Sequence, residues 1–191
     1  MAFPKVMALA MIAVAACGSV EGDREVVCED QPIDVLPNGS FEDPQPPWLQ
    51  DPVSPSLLCG DPQITPDSGV VAACFGGIDG TVQTLTQTLP LPEGATSASL
   101  SGRICIDTAE TEAVDRDELV FDLLDGSTPI AALGKRTNQQ GMAGCQFVTF
   151  ALDAALSADP AEATLRIRST LDPDRPTTFY VDSLILEIGC D

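Results

Sequence analysis

Beyond its first residues the sequence predicts an all-β fold, an antiparallel jelly-roll β-sandwich braced by disulfides. Three observations carry that expectation. Short runs rich in β-branched residues recur along the chain with Pro, Gly and Asp between them, which is the spacing of strands in a sandwich or jelly roll. Several of these runs alternate apolar and polar residues with a period of two, so that each strand buries one face. Six of the seven cysteines follow the N-terminal segment, and an even number in an exported chain implies disulfides.

The elements follow in order. Residues 45–66 carry six prolines, Pro46, Pro47, Pro52, Pro55, Pro62 and Pro66. Without their N–H groups this stretch holds little ladder, and a long surface excursion is expected. Residues 69–75 and 82–89 read as strands. In residues 96–106, Ala98, Leu100, Gly102, Ile104 and Ile106 share one face and Ser99, Ser101 and Arg103 the other. Residues 118–124 place Leu119, Phe121 and Leu123 together. Strands over 146–152, 163–170 and 177–188 complete the set, with Leu165 and Ile167 alternating with Arg166 and Arg168. Residues 151–157 are the one helical candidate in the domain.

Among Cys28, Cys59, Cys74, Cys105, Cys145 and Cys190 several connectivities are open. Cys59 and Cys74 bracket a Pro-rich loop and are expected to pair, closing a loop worth about 3 kcal/mol in the chain-entropy model. Cys105 and Cys145 fall in predicted strands, and Cys28 and Cys190 lie near the two ends, which suggests the other two pairs. With no His in the chain and no C-x-x-C spacing, a zinc site is excluded.

The chain opens with one lysine, Lys5, followed by an uncharged apolar run over 6–16. A spanning helix needs about 20 such residues, so the run reads as a secretory signal. It ends Val14-Ala15-Ala16-Cys17-Gly18, which resembles the bacterial lipobox. That resemblance implies cleavage after Ala16 and lipidation, including palmitate, on Cys17. Gly18 in place of Asp points to the outer membrane. Several acyl chains on one Cys give stable anchoring. The expected organisation is a signal peptide over 1–16, a lipidated N-terminus and tether over 17–34, and the sandwich over 35–191. Val71-Ala72-Ala73-Cys74 repeats the same four letters but lacks the preceding segment, and reads as a strand end.

The formal net charge is −20. Nucleic acid and anionic lipid surfaces need basic patches and are therefore excluded as partners. The membrane is reached through the lipid alone. Without His there is no base near neutral pH and no Ser–His–Asp arrangement. A carboxylate pair able to hydrolyse a glycoside remains conceivable, but aromatics make up only 5% of the chain, too few to line a sugar cleft well. An enzyme ranks last.

Several local patterns occur in one succession: Asn38-Gly39-Ser40-Phe41-Glu42, then Trp48, then Ser68-Gly69-Val70-Val71-Ala72-Ala73-Cys74-Phe75-Gly76-Gly77, then Leu85-Thr86-Gln87-Thr88-Leu89-Pro90-Leu91-Pro92, and last Phe179-Tyr180-Val181-Asp182-Ser183-Leu184. Over about 35–188 this order resembles the galactose-binding-like jelly-roll domains of carbohydrate-binding modules and other secreted bacterial proteins. The resemblance implies a structural Ca²⁺ beside the first and last strands, with Glu42 and Asp182 as its acidic ligands. Two carboxylates and loop carbonyls suit a cation that takes six to eight oxygens. The competing reading makes Glu42 a solvated strand-end carboxylate and Asp182 the mark of a bulge. Sugar modules grip rings with exposed aromatics, which makes Trp48 the candidate ligand-binding residue, although in the resembling domains a Trp at this point more often packs against the sandwich, and packing is the favoured reading. Asp107, Glu110, Glu112, Asp115, Asp117 and Glu118 lack the EF-hand pattern and are expected to form a solvated loop. Arg166 and Arg168 read as surface ion pairs. The expected function is an envelope-anchored, non-catalytic module that recognises a glycan or a surface protein. A structural or accessory subunit of an envelope assembly is the alternative, and a glycoside-active enzyme comes third.

Overall fold

The computed structural model describes residues 32–43, 48–60, 64–77, 80–141 and 145–190. Eleven strands run through them: β1 Ile33–Asp34, β2 Leu49–Asp51, β3 Leu58–Cys59, β4 Ala72–Phe75, β5 Val82–Pro90, β6 Ala95–Thr108, β7 Glu118–Asp125, β8 Thr128–Thr137, β9 Val148–Ala155, β10 Glu162–Thr170 and β11 Thr177–Cys190. They form two antiparallel sheets. One has the order β3-β4-β11-β6-β9, with β1 also paired to β11; the other has the order β2-β5-β10-β7-β8. The fold is the expected disulfide-braced jelly-roll sandwich.

Alternation decides which residues fill it. Ala98, Leu100, Gly102, Ile104 and Ile106 of β6 all point inward and are buried, as are Leu165 and Ile167 of β10. Phe75, Phe121, Phe179, Leu85 and Leu186 meet them in one continuous core. Strand β11 changes phase part-way. Phe179 and Val181 are buried before Asp182, and Leu184, Leu186 and Ile188 after it. The switch from odd to even positions requires one extra residue. Asp182 pairs with Arg103 and Ile185 with Ser101, so Ser183 and Leu184 together oppose Gly102. Ser183 takes φ 52° at this bulge, and a Cβ on Gly102 would lie 2.6 Å from Leu184 Cδ2. Glycine there leaves room for the displaced leucine.

Four expectations are corrected. Residues 151–157 contain no helix, because Phe150, Leu152 and Ala154 alternate inward along β9, which pairs with β6 over eight residues. Strand β8 was not anticipated. It carries Pro129 and Gly134 on a sheet edge, where a missing N–H is tolerated, and it follows a two-residue turn at Gly126-Ser127, with Gly126 at φ 58°. The Pro-rich stretch is more ordered than expected, since β2 and β3 pair with β5 and β4. The sandwich also reaches back to Ile33, which pairs with Ile188, inside the segment assigned to the tether.

Cys59 bonds to Cys74 and Cys105 to Cys145, with Cα separations of 6.0 and 5.3 Å. Cys190 is also disulfide-bonded; its expected partner Cys28 lies outside the described residues, as does Cys17. Sequence separations of 15 and 40 residues correspond to about 3 and about 4 kcal/mol in the chain-entropy model. Replacing Cys105 and Cys145 by Ala should therefore lower the unfolding free energy by about 1 kcal/mol more than replacing Cys59 and Cys74. Paired urea titrations measure the difference, and an equal or reversed loss would contradict it.

Candidate functional site

The motif Asn38–Glu42 folds as a tight knot against the bulge of β11. Phe41 N–H donates to Asn38 O, and Asn38 Oδ1 accepts from Asp43 N–H. Leu184 N–H donates to Gly39 O at 2.9 Å. A Cβ on Gly39 would lie 1.9 Å from the Leu184 carbonyl oxygen, so this close approach demands glycine. Trp48 closes the knot. Its Nε1–H donates to Asn38 O at 3.1 Å and its ring meets Phe41 with centroids 5.3 Å apart. Trp48 is only 5% exposed, so it is a core residue and offers no ring to a ligand. Of the two roles expected for Trp48 the structure shows the favoured one, packing against the sandwich, and its candidacy as a ligand-binding residue is corrected: an indole packed on Phe41, with its N–H satisfied, is more stable inside than in water.

Glu42 and Asp182 arrive at the same loop, residues 67–71, from different elements. Glu42 Oε1 accepts the Val70 and Val71 N–H groups at 2.8 and 2.7 Å. Asp182 accepts N–H from Ser68 at 2.8 Å and from Ser183 at 2.6 Å. Glu42 is exposed, whereas Asp182 is fully buried on the outward side of β11, under that loop. Burial pushes the Asp182 carboxyl above its usual pKa; donors from Ser68 and Ser183 oppose the shift, and nearby Asp67 adds to it. Arg103, its cross-strand partner, spends its guanidinium on Asp67, Thr149 and the Phe147 carbonyl. Among the described residues no ion pair reaches Asp182. A buried carboxylate without a cation keeps a cost that its backbone donors offset only in part.

The outward face of the five-stranded sheet is polar. Arg166 bonds Asp122 through Nε and Nη2, the latter at 2.7 Å, and Thr88 meets Thr164. The surface ion pair expected for Arg166 is present; the one expected for Arg168 is corrected, since among the described residues no acid pairs with it and its Nε is buried without a hydrogen-bond partner. Concavity lies elsewhere, at the open edge where β8 and β9 leave the two sheets apart. A cleft of about 290 Å³ opens there between Ile104, Ile106, Val148 and Phe150 on its apolar side and Arg136, Gln140, Gln146 and Thr149 on its polar side. The Arg136 guanidinium stands 5.4 Å above the Phe150 ring, and burial holds its pKa below the usual value. Gln140 is fixed by accepting the Thr137 N–H, whereas Gln146 is exposed. No carboxylate or imidazole lines this cleft among the described residues, so it offers hydrogen bonds and an apolar wall but no general acid or base.

No family model and no curated protein matches this chain. Solved structures do. A family 61 carbohydrate-binding module in complex with β-1,4-galactotriose superposes with a TM-score of 0.53 at 12% identity, covering 81% of this chain and 97% of that one. The K3 cleaved adhesin domain of Lys-gingipain from Porphyromonas gingivalis gives 0.54 at 13% identity, with 82% and 99% covered. An arabinose-bound family 51 α-L-arabinofuranosidase gives 0.55 at 12% identity, but only 26% of that enzyme is matched. The likeness is one of fold.

Sequence reasoning missed the cleft because strand β8, which carries Arg136, was not anticipated; the lining residues 146–150 of the other flank lie in the strand expected over 146–152. It also placed Asp117 in a solvated loop, whereas Asp117 is fully buried. The reassignment of Trp48 is checked by its fluorescence, since it is the sole tryptophan. Iodide should quench it poorly in the native state and freely in urea, and Trp48→Ala should cost about 3–5 kcal/mol of stability. Free quenching of the native protein would restore the exposed-tip reading.

Proposed function

We propose that the chain is an envelope-anchored, non-catalytic module that binds glycans in the cleft between β8 and β9. The observation that carries this reading is the cleft's composition, one apolar wall facing a guanidinium and two carboxamides. A sugar ring presents the same division, C–H groups on its faces and hydroxyls around its edge. Arg136, Gln140 and Gln146 supply donors and acceptors for hydroxyls, and Val148, 38% exposed, offers an apolar surface to the ring. The volume is at the small end of ligand pockets, which suits a chain end or a single residue of a glycan. Two further points support the reading. The shared fold spans nearly all of the family 61 module solved with galactotriose but about a quarter of the arabinofuranosidase, and the cleft has no carboxylate pair for glycoside hydrolysis. Ca²⁺ held by Glu42 and Asp182 would tie the first turn and the last strand together without entering the cleft.

The anchored location rests on Cys17 and its flanking residues. Lipidated there and held at the outer membrane, the chain keeps the module close to the envelope surface.

Two measurements test this function. On a glycan array the purified chain should select defined oligosaccharides. Gln146→Ala and Arg136→Gln should each weaken that binding about tenfold or more, a loss of one or two good hydrogen bonds, with little change in unfolding midpoint. An empty array, or binding indifferent to both substitutions, would remove the cleft from consideration; a protein recovered by crosslinking in cells would then favour the accessory-subunit role. Mass spectrometry of the mature protein should find an acylated Cys17 at the N-terminus, and an unmodified N-terminus at residue 18 or beyond would contradict the anchor.

A further inference from the structure

At the end of the sandwich where β6 and β10 run out, three carboxyl groups from three segments converge. Glu110 follows β6, Asp117 directly precedes β7, and Asp172 follows β10. One carboxylate oxygen of each lies within 4.8 Å of the other two. Asp117 is fully buried. Its Oδ1 accepts the Asp172 N–H at 2.7 Å, but its Oδ2 is buried without a hydrogen-bond partner, and so is Glu110 Oε1. Donorless carboxylate oxygens shut away from water are costly, and here two of them belong to neighbouring acids that repel one another.

The two cations nearby do not resolve this, and Arg175 spends its Nη1 on Thr111 Oγ1. Arg116 commits Nη2 to Glu112 at 2.7 Å and reaches Asp172 and Asp174 through Nη1 at 3.5 and 3.7 Å, on the outer side of the cluster. Neither unpartnered oxygen accepts from it. The loop meanwhile is held in place by the protein itself. Asn138, also buried, accepts the N–H groups of Arg116 and Asp117 and donates to the Val114 carbonyl. The acids are thus fixed close together by contacts that do not depend on their neutralisation.

We propose that Glu110, Asp117 and Asp172 bind Ca²⁺, at a site separate from Glu42 and Asp182. The donors are all hard oxygens, which select Ca²⁺ or Mg²⁺ over thiolate- and imidazole-seeking metals. Because one oxygen of each acid lies within 4.8 Å of the others, all three can reach a single ion at Ca–O distances of about 2.4 Å. Glu110 and Asp172 are only partly buried, which leaves a solvent side where water completes the shell. Glu110 extends from the six-stranded sheet, and the two aspartates from the five-stranded one. The ion therefore clamps the two sheets together at this end.

Calcium titration by calorimetry, together with thermal unfolding in Ca²⁺ and in EDTA, tests the proposal. The variant Glu110→Gln/Asp172→Asn should bind one Ca²⁺ fewer than the wild type. In EDTA it should be at least as stable, because it removes repulsion between neighbouring acids. Calcium at a hundredfold excess over its dissociation constant should raise the wild-type midpoint by roughly 5–10 °C more than the variant's. Asp117→Asn, which keeps an oxygen for the Asp172 N–H, should behave in the same way. Mg²⁺ at equal concentration should compete weakly. Equal stoichiometry in wild type and variant would overturn the site, as would a destabilisation of the variant that is the same with and without calcium. Glu42→Gln reports the other carboxylate pair by itself, so the failure of one site is distinguishable from the failure of the other.

Discussion

Strand β11 carries one residue more than its partner β6 at Ser183, and this insertion sets the positions of the elements around it. It moves the inward phase of the strand from Phe179 and Val181 to Leu184, Leu186 and Ile188, so both halves of the longest ladder feed one core. It frees the Leu184 N–H from the β6 ladder to donate to the Gly39 carbonyl, which seats the Asn38–Glu42 knot and, through it, Phe41 and Trp48. It turns Ser183 so that its Oγ donates to Asp67 and its N–H to Asp182. The first turn, the loop over residues 67–71 and the last strand are thereby joined by main-chain and carboxylate contacts across more than a hundred residues of sequence. Such long-range closure is what a sandwich built from distant strands requires.

An acidic chain has to decide where its carboxylates go. Most stay at strand ends and in loops, where water screens them. Asp182 and Asp117 do not. Each is fully buried and accepts backbone N–H groups from a loop that would otherwise lack partners. The carboxylate organises its loop but carries a charge into a poorly solvated place. That cost is offset most directly by a cation, and both positions have further acids beside them. The two loops therefore share one design, a buried aspartate that shapes backbone beside further acids.

Much of this was legible in the sequence, and for identifiable reasons. Strict alternation in residues 96–106 and 163–170 assigned β6 and β10 and their inward faces, because a period of two leaves no other arrangement for a half-buried strand. The Cys59–Cys74 pair followed from the loop they bracket. Strand β8 was lost because Pro129, Ala132 and Gly134 depress strand propensity, and because the Asp125-Gly126 hairpin turn that begins it was overlooked. Ala151–Ala155 looked helical because alanine favours helices, but pairing with β6 overrides local preference. The burial of Asp117 was not legible, because it depends on what distant segments, Asp172 and Asn138, lay over it; the packing of Trp48 was the favoured of two readings, and its local contact with Phe41 decides it.

The burial of Trp48 moves the candidate recognition surface. With Trp48 in the core, no aromatic platform remains at its loop, and the broad face of the five-stranded sheet presents threonines and an Arg166–Asp122 pair already bonded to one another. The cleft beside Arg136 is concave, mixed in polarity and without catalytic groups, and recognition there is the account's central claim. Its most direct test is an amide NMR titration of the isotope-labelled chain with an oligosaccharide it binds. The account predicts saturable shifts concentrated at Arg136, Gln140 and residues 146–150, with the Trp48 indole and the β5 and β10 amides unmoved. Shifts centred on the outward face of β5 and β10, with Arg136 and Gln146 silent, would contradict it.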